Sequence, residues 1–168
     1  NPKSNYGKAK LLASKYLIKL FKDKKFPSII LRLYLAYGPK QDLNRFLPII
    51  INGCIKNKKF PCSAGNQFRD FIHIVDVVDV IMKSLVNKKS KGQIINIGTG
   101  KPKKLKKIIK YIKKNTKGGN PQFGKIKLRK DEILKIYPSI KKAKRFINWQ
   151  PKISFQNGIR DTIKSYNE

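Results

Sequence analysis

The sequence predicts an α/β fold, because short apolar runs alternate along the chain with longer amphipathic stretches. The apolar runs, such as Ser28–Leu35 and Gln93–Ile97, are nearly continuous, which is typical of parallel strands covered on both faces. The intervening stretches repeat apolar residues at three- and four-residue intervals, the spacing of one helix face. With 168 residues, 40% of them hydrophobic, the chain is about one domain in size and can bury a core.

The chain begins with a helix, a strand and a turn. Ser4 is a suitable N-cap for a helix of about 18 residues. The strand Ser28–Leu35 follows, and Tyr37-Gly38-Pro39 turns the chain. The predicted apolar face of the helix consists of Ala9, Leu12, Ala13, Tyr16, Leu17, Leu20 and Phe21.

The middle of the chain predicts a helix over about residues 44–56, then a second strand, Arg69–Ile74. Asp76 is suited to cap the next helix, since a carboxylate accepts hydrogen bonds from the free amides of a first turn. The predicted core face of that helix consists of Val77, Val78, Ile81, Met82 and Leu85.

The second half continues with the strand Gln93–Ile97, which Gly98-Thr99-Gly100 closes, and a helix that stops at Asn115. The pattern then predicts a short strand over Lys125–Leu128 and a helix over Ile140–Ile147. A last helix has a buried stripe of Phe155, Ile159, Ile163 and Tyr166.

The net charge of +31 admits a polyanion partner, because clustered basic residues release counterions from nucleic acid. The basic residues are instead mostly lysines scattered from end to end, and the sequence has no zinc-finger, RNA-recognition or leucine-zipper pattern. We therefore expect no specific nucleic-acid function. No apolar run is long enough to span a membrane. Cys54 and Cys62 form no metal-binding spacing, so we expect free thiols and a cytoplasmic protein.

Tyr6 and Lys10 stand four positions apart in the first predicted helix. Side chains at this spacing lie on one helix face, and a nearby ammonium favours phenolate over phenol, which suits a general acid/base. The spacing alone is weak evidence, because about one residue in five is lysine. Tyr137 and Lys141 repeat it, although Pro138 makes Tyr137 an element boundary.

Five segments in register resemble the C-terminal half of the nucleotide-sugar epimerase/dehydratase family, the extended short-chain dehydrogenase/reductases. Tyr6 to Lys10 matches the family's Tyr-x-x-x-Lys signature, and Arg32 to Pro39 resembles its strand ending in Tyr-Gly-Pro. Arg69 to Asp76 resembles the run Arg-Asp-Phe/Tyr-Ile-His/Tyr-Val-x-Asp. The remaining matches are Asn96-Ile97-Gly98-Thr99-Gly100 and Trp149-Gln150-Pro151. The resemblance covers nearly the whole chain. It implies the last part of a Rossmann-type parallel sheet interleaved with a small substrate-binding α/β domain.

The resemblance also implies roles for particular residues. Tyr6 would exchange the proton of the sugar hydroxyl, while Lys10 would stabilise its phenolate and bind the nicotinamide ribose of NAD(P). Arg69 and Arg129 would hold the diphosphate of a nucleotide sugar, and Glu132 the hydroxyls of the nucleotide ribose. Alternatively, Arg69, Arg129 and Glu132 are ordinary charged residues of the protein surface. His73, the only histidine, is predicted to form structural hydrogen bonds rather than to act in catalysis.

Three departures from the family pattern limit what this chain is expected to do. It has no Gly-x-x-Gly-x-x-Gly turn for the pyrophosphate of NAD(P), so the cofactor half of the protein is expected to be missing. Leu35 occupies the place of a substrate-binding Asn, and the loop from Cys62 to Gly65 is about one residue short of the common pattern.

The implied function is an NAD(P)-dependent nucleotide-sugar epimerase, dehydratase or ketoreductase that oxidises a sugar carbon, most often C4. The intact enzyme is expected to be a homodimer, and this chain alone is expected to be inactive. Two alternatives stay open: a basic module that binds nucleic acid or an anionic surface, and a relative that binds nucleotide sugars without turnover.

Overall fold

The computed structural model describes residues 2–166, over which helices alternate with short strands as predicted. The helices are α1 (Asn5–Lys24), α2 (Phe46–Ile55), α3 (Ile74–Val86), α4 (Leu105–Thr116) and α5 (Phe155–Lys164). The strands are β1 (Ile30–Leu33), β2 (Leu35–Tyr37), β3 (Lys59–Pro61), β4 (Phe68–Arg69), β5 (Phe71–His73), β6 (Ile94–Ile97), β7 (Lys103–Lys104), β8 (Asn120–Gln122) and β9 (Lys135–Ile136). The helix predicted over Ile140–Ile147 ends in a π-helical turn, Ala143–Ile147.

The first predicted strand divides at Tyr34, where the chain changes its pairing partner. β1 pairs in parallel with β6, and β2 pairs in parallel with β5. The Tyr34 amide donates to the Ile97 carbonyl at 2.9 Å, while the Leu35 amide donates to the Asp70 carbonyl at 3.2 Å. Successive amides of a strand point to opposite edges, so β6 lies along one edge and β5 along the other. Within residues 2–166, β1 has no strand on the edge away from β6.

The second predicted strand also divides, into β4 and β5, and Ile74 begins α3 instead of ending the strand. β4 is the middle strand of a three-stranded sheet, antiparallel to β7 and parallel to β9. The strand predicted over residues 125–128 is wrong. Gly124 turns the chain with a φ of 84°, and Ile126 then donates one backbone hydrogen bond to Cys62 rather than joining a ladder.

Two hydrophobic cores hold the chain together. The larger core packs α2, α4 and α5 together and includes Leu47, Ile51, Ile108, Ile112 and Ile159. The smaller core lies between the β1–β6 pair, α3 and the π-helical turn. Its buried members are Ile72, Val77, Val80, Ile95, Ile97, Ala143, Ile147 and Trp149.

Helix α1 begins where the sequence predicts but buries none of its residues. The Ser4 hydroxyl oxygen accepts a hydrogen bond from the Gly7 amide at 3.1 Å, which confirms Ser4 as the N-cap. The predicted apolar face is largely wrong, because Leu12 and Tyr16 are 66% and 63% exposed. Phe21 does contact the rest of the protein: its ring lies against Gly92, where a Cβ would come within 2.2 Å of it.

Helix α3 corrects two predictions. Its N-cap is His73, whose Nδ1 accepts from the Val75 amide at 3.4 Å, so the predicted Asp76 cap is wrong. The buried face consists of Asp76, Val77, Val80 and Ser84. Of the predicted core face only Val77 is buried, while Val78, Ile81, Met82 and Leu85 are exposed.

Asp76 lies on the buried face of α3, where its carboxylate accepts hydrogen bonds from another segment of the chain. Its two oxygens accept the backbone amides of Lys152 and Ile153 at 2.8 and 3.0 Å. This pair of charge-assisted hydrogen bonds holds the segment that follows Trp149 against α3.

No helix within residues 2–166 is long and apolar enough to cross a membrane.

Candidate active site

Tyr6 and Lys10 lie together on the first turns of α1. The Lys10 ammonium is 5.6 Å from the centre of the Tyr6 ring, within the range of a cation–π contact. Tyr6 is 74% exposed, so its hydroxyl is open to a ligand. The α-helical spacing alone produces this proximity, as the sequence predicts.

Three cavities adjoin the predicted site residues. The α1–β1 groove, of about 610 Å³, is lined by Tyr6, Lys10, Ser14 and β1. The central cavity, of about 650 Å³, is lined by Tyr6, Leu35, Tyr37, Arg45, Phe46 and Phe71. The distal cavity, of about 320 Å³, is lined by Phe46, Cys62, Ser63, Gln67, Arg129 and Glu132, among others. Tyr6 lines both the α1–β1 groove and the central cavity, and Phe46 lines both the central and the distal cavity.

Arg69 reaches Glu132 because β4 pairs with β9. The register sets Phe68 opposite Lys135, which places the residues just before β9 beside Arg69. One terminal nitrogen of Arg69 forms an ion pair with Glu132, and the other donates to the backbone carbonyls of Phe68 and Leu134 at 2.9 and 3.4 Å. These contacts fix the plane of the guanidinium beside the distal cavity.

Arg129 and Glu132 lie on the same wall of the distal cavity. The Glu132 amide donates to the Arg129 carbonyl at 3.1 Å, which closes a turn between the two residues. Arg129 is exposed and Glu132 is half-buried. The structure therefore connects Arg69 and Arg129 through Glu132, the three residues predicted at the diphosphate and ribose. Tyr6 lines the central cavity and the α1–β1 groove, and Lys10 lines the groove.

Asp70 has a structural role that the sequence did not reveal. Its side chain is 1% exposed and accepts three hydrogen bonds, from the Thr99 amide at 2.9 Å, the Thr99 hydroxyl at 2.7 Å and the Gly100 amide at 2.6 Å. The carboxylate thus joins the start of β5 to the turn after β6. Both segments belonged to recognised motifs, but only their contact in space shows that one supports the other.

His73 is buried and makes structural contacts, as predicted. Besides capping α3, its Nε2 lies 3.3 Å from the Asp161 carboxylate, and its ring packs edge-on against Tyr37 at 5.3 Å. Burial raises the pKa of Tyr37, and the nearby Asp76 and Asp161 carboxylates raise it further. Tyr37 therefore stays protonated and donates to the Phe155 carbonyl at 3.4 Å.

Cys54 and Cys62 are free thiols, as predicted. Burial raises the pKa of both, and Cys62 lines the distal cavity. No group of three metal-ligating side chains occurs among the residues that the structure describes. Leu35, which stands where the family pattern has an Asn, is 45% exposed in the central cavity and presents an apolar surface there.

Comparisons with known proteins point to one family. The profile of the NAD dependent epimerase/dehydratase family matches residues 1–98. A CDP-abequose synthase of Salmonella typhimurium is 32% identical over 141 residues, covering 80% of this chain and 46% of that protein. A putative UDP-glucose 4-epimerase of Methanocaldococcus jannaschii is 31% identical over 167 residues, covering 97% of this chain and 53% of that protein.

A solved structure gives the same result for the fold. The structure of a UDP-glucose 4-epimerase with UDP-glucose from Thermotoga maritima matches 99% of this chain and 54% of its own, with a TM-score of 0.91 and 25% identity. The chain spans about half the length of the curated relatives it matches.

Proposed function

Because this chain belongs to the NAD-dependent epimerase/dehydratase family, we propose that it supplies the nucleotide-sugar site and the acid/base tyrosine of an NAD(P)-dependent epimerase, dehydratase or ketoreductase. The observation that carries the proposal is that the three cavities share lining residues. Tyr6 lines the α1–β1 groove and the central cavity, Phe46 lines the central and distal cavities, and Arg129 and Glu132 line the distal cavity. A nucleotide sugar is elongated and doubly charged at its centre, so it needs separated sites for the sugar and the nucleotide.

In the proposed reaction, Tyr6 as phenolate accepts the proton of a sugar hydroxyl as the attached carbon, most often C4, is oxidised. It returns the proton when the ketone is reduced. The ammonium of Lys10, 5.6 Å from the ring, stabilises the phenolate between these steps. The exposure of Tyr6 and its position on both the α1–β1 groove and the central cavity support this role.

NAD(P), when bound, supplies the hydride acceptor. The residues of this chain fit only the nicotinamide-ribose end of NAD(P). Lys10 can donate to the ribose hydroxyls from the α1–β1 groove, but the sequence has no glycine-rich turn for the pyrophosphate. We propose that most of the cofactor site belongs to the half of the relatives that this chain does not match. The exposed apolar side chains of α1 and α3 and the open edge of β1 are the surface expected to contact that half.

At the distal cavity, Arg69 and Arg129 are proposed to hold the diphosphate and Glu132 the ribose hydroxyls. A guanidinium suits paired phosphate oxygens because its donors form a rigid fork. The backbone contacts of Arg69 hold that fork in place before the ligand arrives. Glu132 neutralises Arg69 in the free protein and, once the diphosphate binds, its carboxylate can accept from two neighbouring hydroxyls.

The test is Tyr6→Phe in the protein that carries this sequence together with its cofactor-binding half. Turnover should fall by about 10²- to 10⁴-fold with nucleotide-sugar affinity unchanged, because only the exchangeable proton is lost. Tyr16→Phe, which removes an exposed hydroxyl on the same helix, is the matched control and should retain full activity. Normal turnover of Tyr6→Phe would refute the acid/base role. Binding of nucleotide sugars without turnover in the unmodified protein would identify a catalytically silent relative.

A further inference from the structure

The wall of the distal cavity contains a buried amide with a free donor. Gln67 is 5% exposed and lines the cavity. Its Oε1 is 3.3 Å from the Ser63 hydroxyl, which donates to it. Among the described residues, its Nε2 donates no hydrogen bond. Because Nε2 is not among the unpartnered polar atoms that are fully enclosed, it keeps some accessible surface.

The Gln67 amide is hydrogen-bonded to a side chain that is itself held in place. The Ser63 hydroxyl donates to the Gln67 oxygen at 3.3 Å, and the Ser63 oxygen accepts from the Gly65 amide at 3.3 Å. With one lone pair of its oxygen engaged by Ser63, Gln67 retains two N–H donors and one further acceptor site. A buried donor of this kind costs free energy unless a ligand satisfies it, so it discriminates strongly for ligands that carry an acceptor at that point.

Among the described residues, the Gln67 side chain is hydrogen-bonded to the Ser63 side chain and to no backbone group. The contact that joins this segment to α4 uses the Gln67 backbone carbonyl, which accepts from the Leu105 amide at 2.9 Å. A purely structural role would therefore leave the free Nε2 unexplained.

The position of Gln67 relative to Arg69 limits which part of a nucleotide it can reach. Residues two apart along an extended chain point to the same side and are separated by about 6–7 Å. If Arg69 holds the diphosphate, Gln67 lies about one nucleoside's length from it. The wall of the distal cavity is otherwise mainly apolar, with Phe46, Ile50 and Ile109 suited to the faces of a planar ring.

We propose that Gln67, hydrogen-bonded to Ser63, is a specificity-determining donor to a ring carbonyl oxygen of a pyrimidine base. The inference rests on the proposed function, because it needs the nucleotide in the distal cavity. Uracil, thymine and cytosine all carry a carbonyl oxygen beside the glycosidic nitrogen, whereas adenine has no carbonyl.

The test measures binding of UDP, ADP and inorganic pyrophosphate to the full chain by calorimetry. The unmodified chain should bind UDP more tightly than ADP. Gln67→Leu should weaken UDP by about tenfold, the usual effect of one lost hydrogen bond, and leave ADP and pyrophosphate unchanged. Gln67→Glu keeps the shape but replaces the donor with a charged acceptor, so it should weaken UDP at least as much. Asn66→Asp makes the same change at the exposed neighbour and should have no effect.

The outcomes separate the two proposals. Unchanged UDP affinity in both Gln67 variants would overturn the role of Gln67 and leave the nucleotide site intact. Equal losses for UDP, ADP and pyrophosphate would also overturn it, because they would indicate a general distortion of the site. Failure of the unmodified chain to bind any of the three ligands would refute the proposed nucleotide site and this inference with it. Thermal unfolding of each variant establishes that it is folded.

Discussion

Asp70→Asn should destabilise the protein although it changes only one side-chain atom. The carboxylate is almost fully buried and accepts from the Thr99 amide, the Thr99 hydroxyl and the Gly100 amide. An Asn amide has one oxygen, so it can replace the oxygen that serves Thr99. Its nitrogen is a donor and would then face the Gly100 amide, 2.6 Å from the present oxygen. One charge-assisted hydrogen bond is lost and a buried N–H is left unpaired, which together cost about 2–4 kcal/mol.

The assay is urea unfolding of the chain followed by circular dichroism, with the change in midpoint converted to free energy at a constant slope. Asp23→Asn is the control, because Asp23 is exposed on α1 and the same chemical change there should cost less than about 0.5 kcal/mol. The reasoning is refuted if Asp70→Asn lies within 0.5 kcal/mol of this control, taking about that value as the usual spread of surface substitutions. A slope that differs from that of the unmodified chain would indicate either a changed denatured state or a loss of two-state unfolding.

Two further predictions concern the cofactor and Cys62. The chain alone should not bind NAD(P) appreciably, because the sequence has no glycine-rich turn; micromolar affinity by calorimetry would contradict this. Burial raises the pKa of the Cys62 thiol, so less of it is thiolate at pH 8 than in a free cysteine. Alkylation of Cys62 by iodoacetamide, followed by mass spectrometry, should therefore be slow at pH 8 and faster at higher pH. Because Cys62 lines the distal cavity, UDP bound there should slow the alkylation. Rapid labelling that UDP does not affect would contradict the placement of the nucleotide.

Local patterns were sufficient for several elements. Ser4 begins α1 because a hydroxyl accepts an amide from the first turn, and that depends only on neighbouring residues. The proximity of Lys10 to Tyr6 likewise follows from helix geometry. The α/β alternation and the resemblance to the family could also be predicted from the sequence, because both depend on the order of segments along the chain.

Predictions failed where a residue's partner is distant in sequence. Asp76 looks like a helix cap, but its carboxylate accepts amides from Lys152 and Ile153. Met82 and Leu85 look like core residues, yet they are exposed. Apolar periodicity does not indicate which surface covers a helix face, and within residues 2–166 no surface covers Met82 and Leu85 of α3.

The sequence by itself therefore determined the fold class, most of the helices, the family and five candidate site residues: Tyr6, Lys10, Arg69, Arg129 and Glu132. Only the tertiary structure decided how these residues are grouped, because the pairing of β4 with β9 brings Arg69 to Glu132 across 63 positions of sequence. It also showed that the Asp70 carboxylate holds the turn after β6, and that the Gln67 Nε2 donates no hydrogen bond within the described residues. The physical reason is that a hydrogen bond depends on which atoms meet in space, and for side chains far apart in sequence the packing of the whole chain decides this.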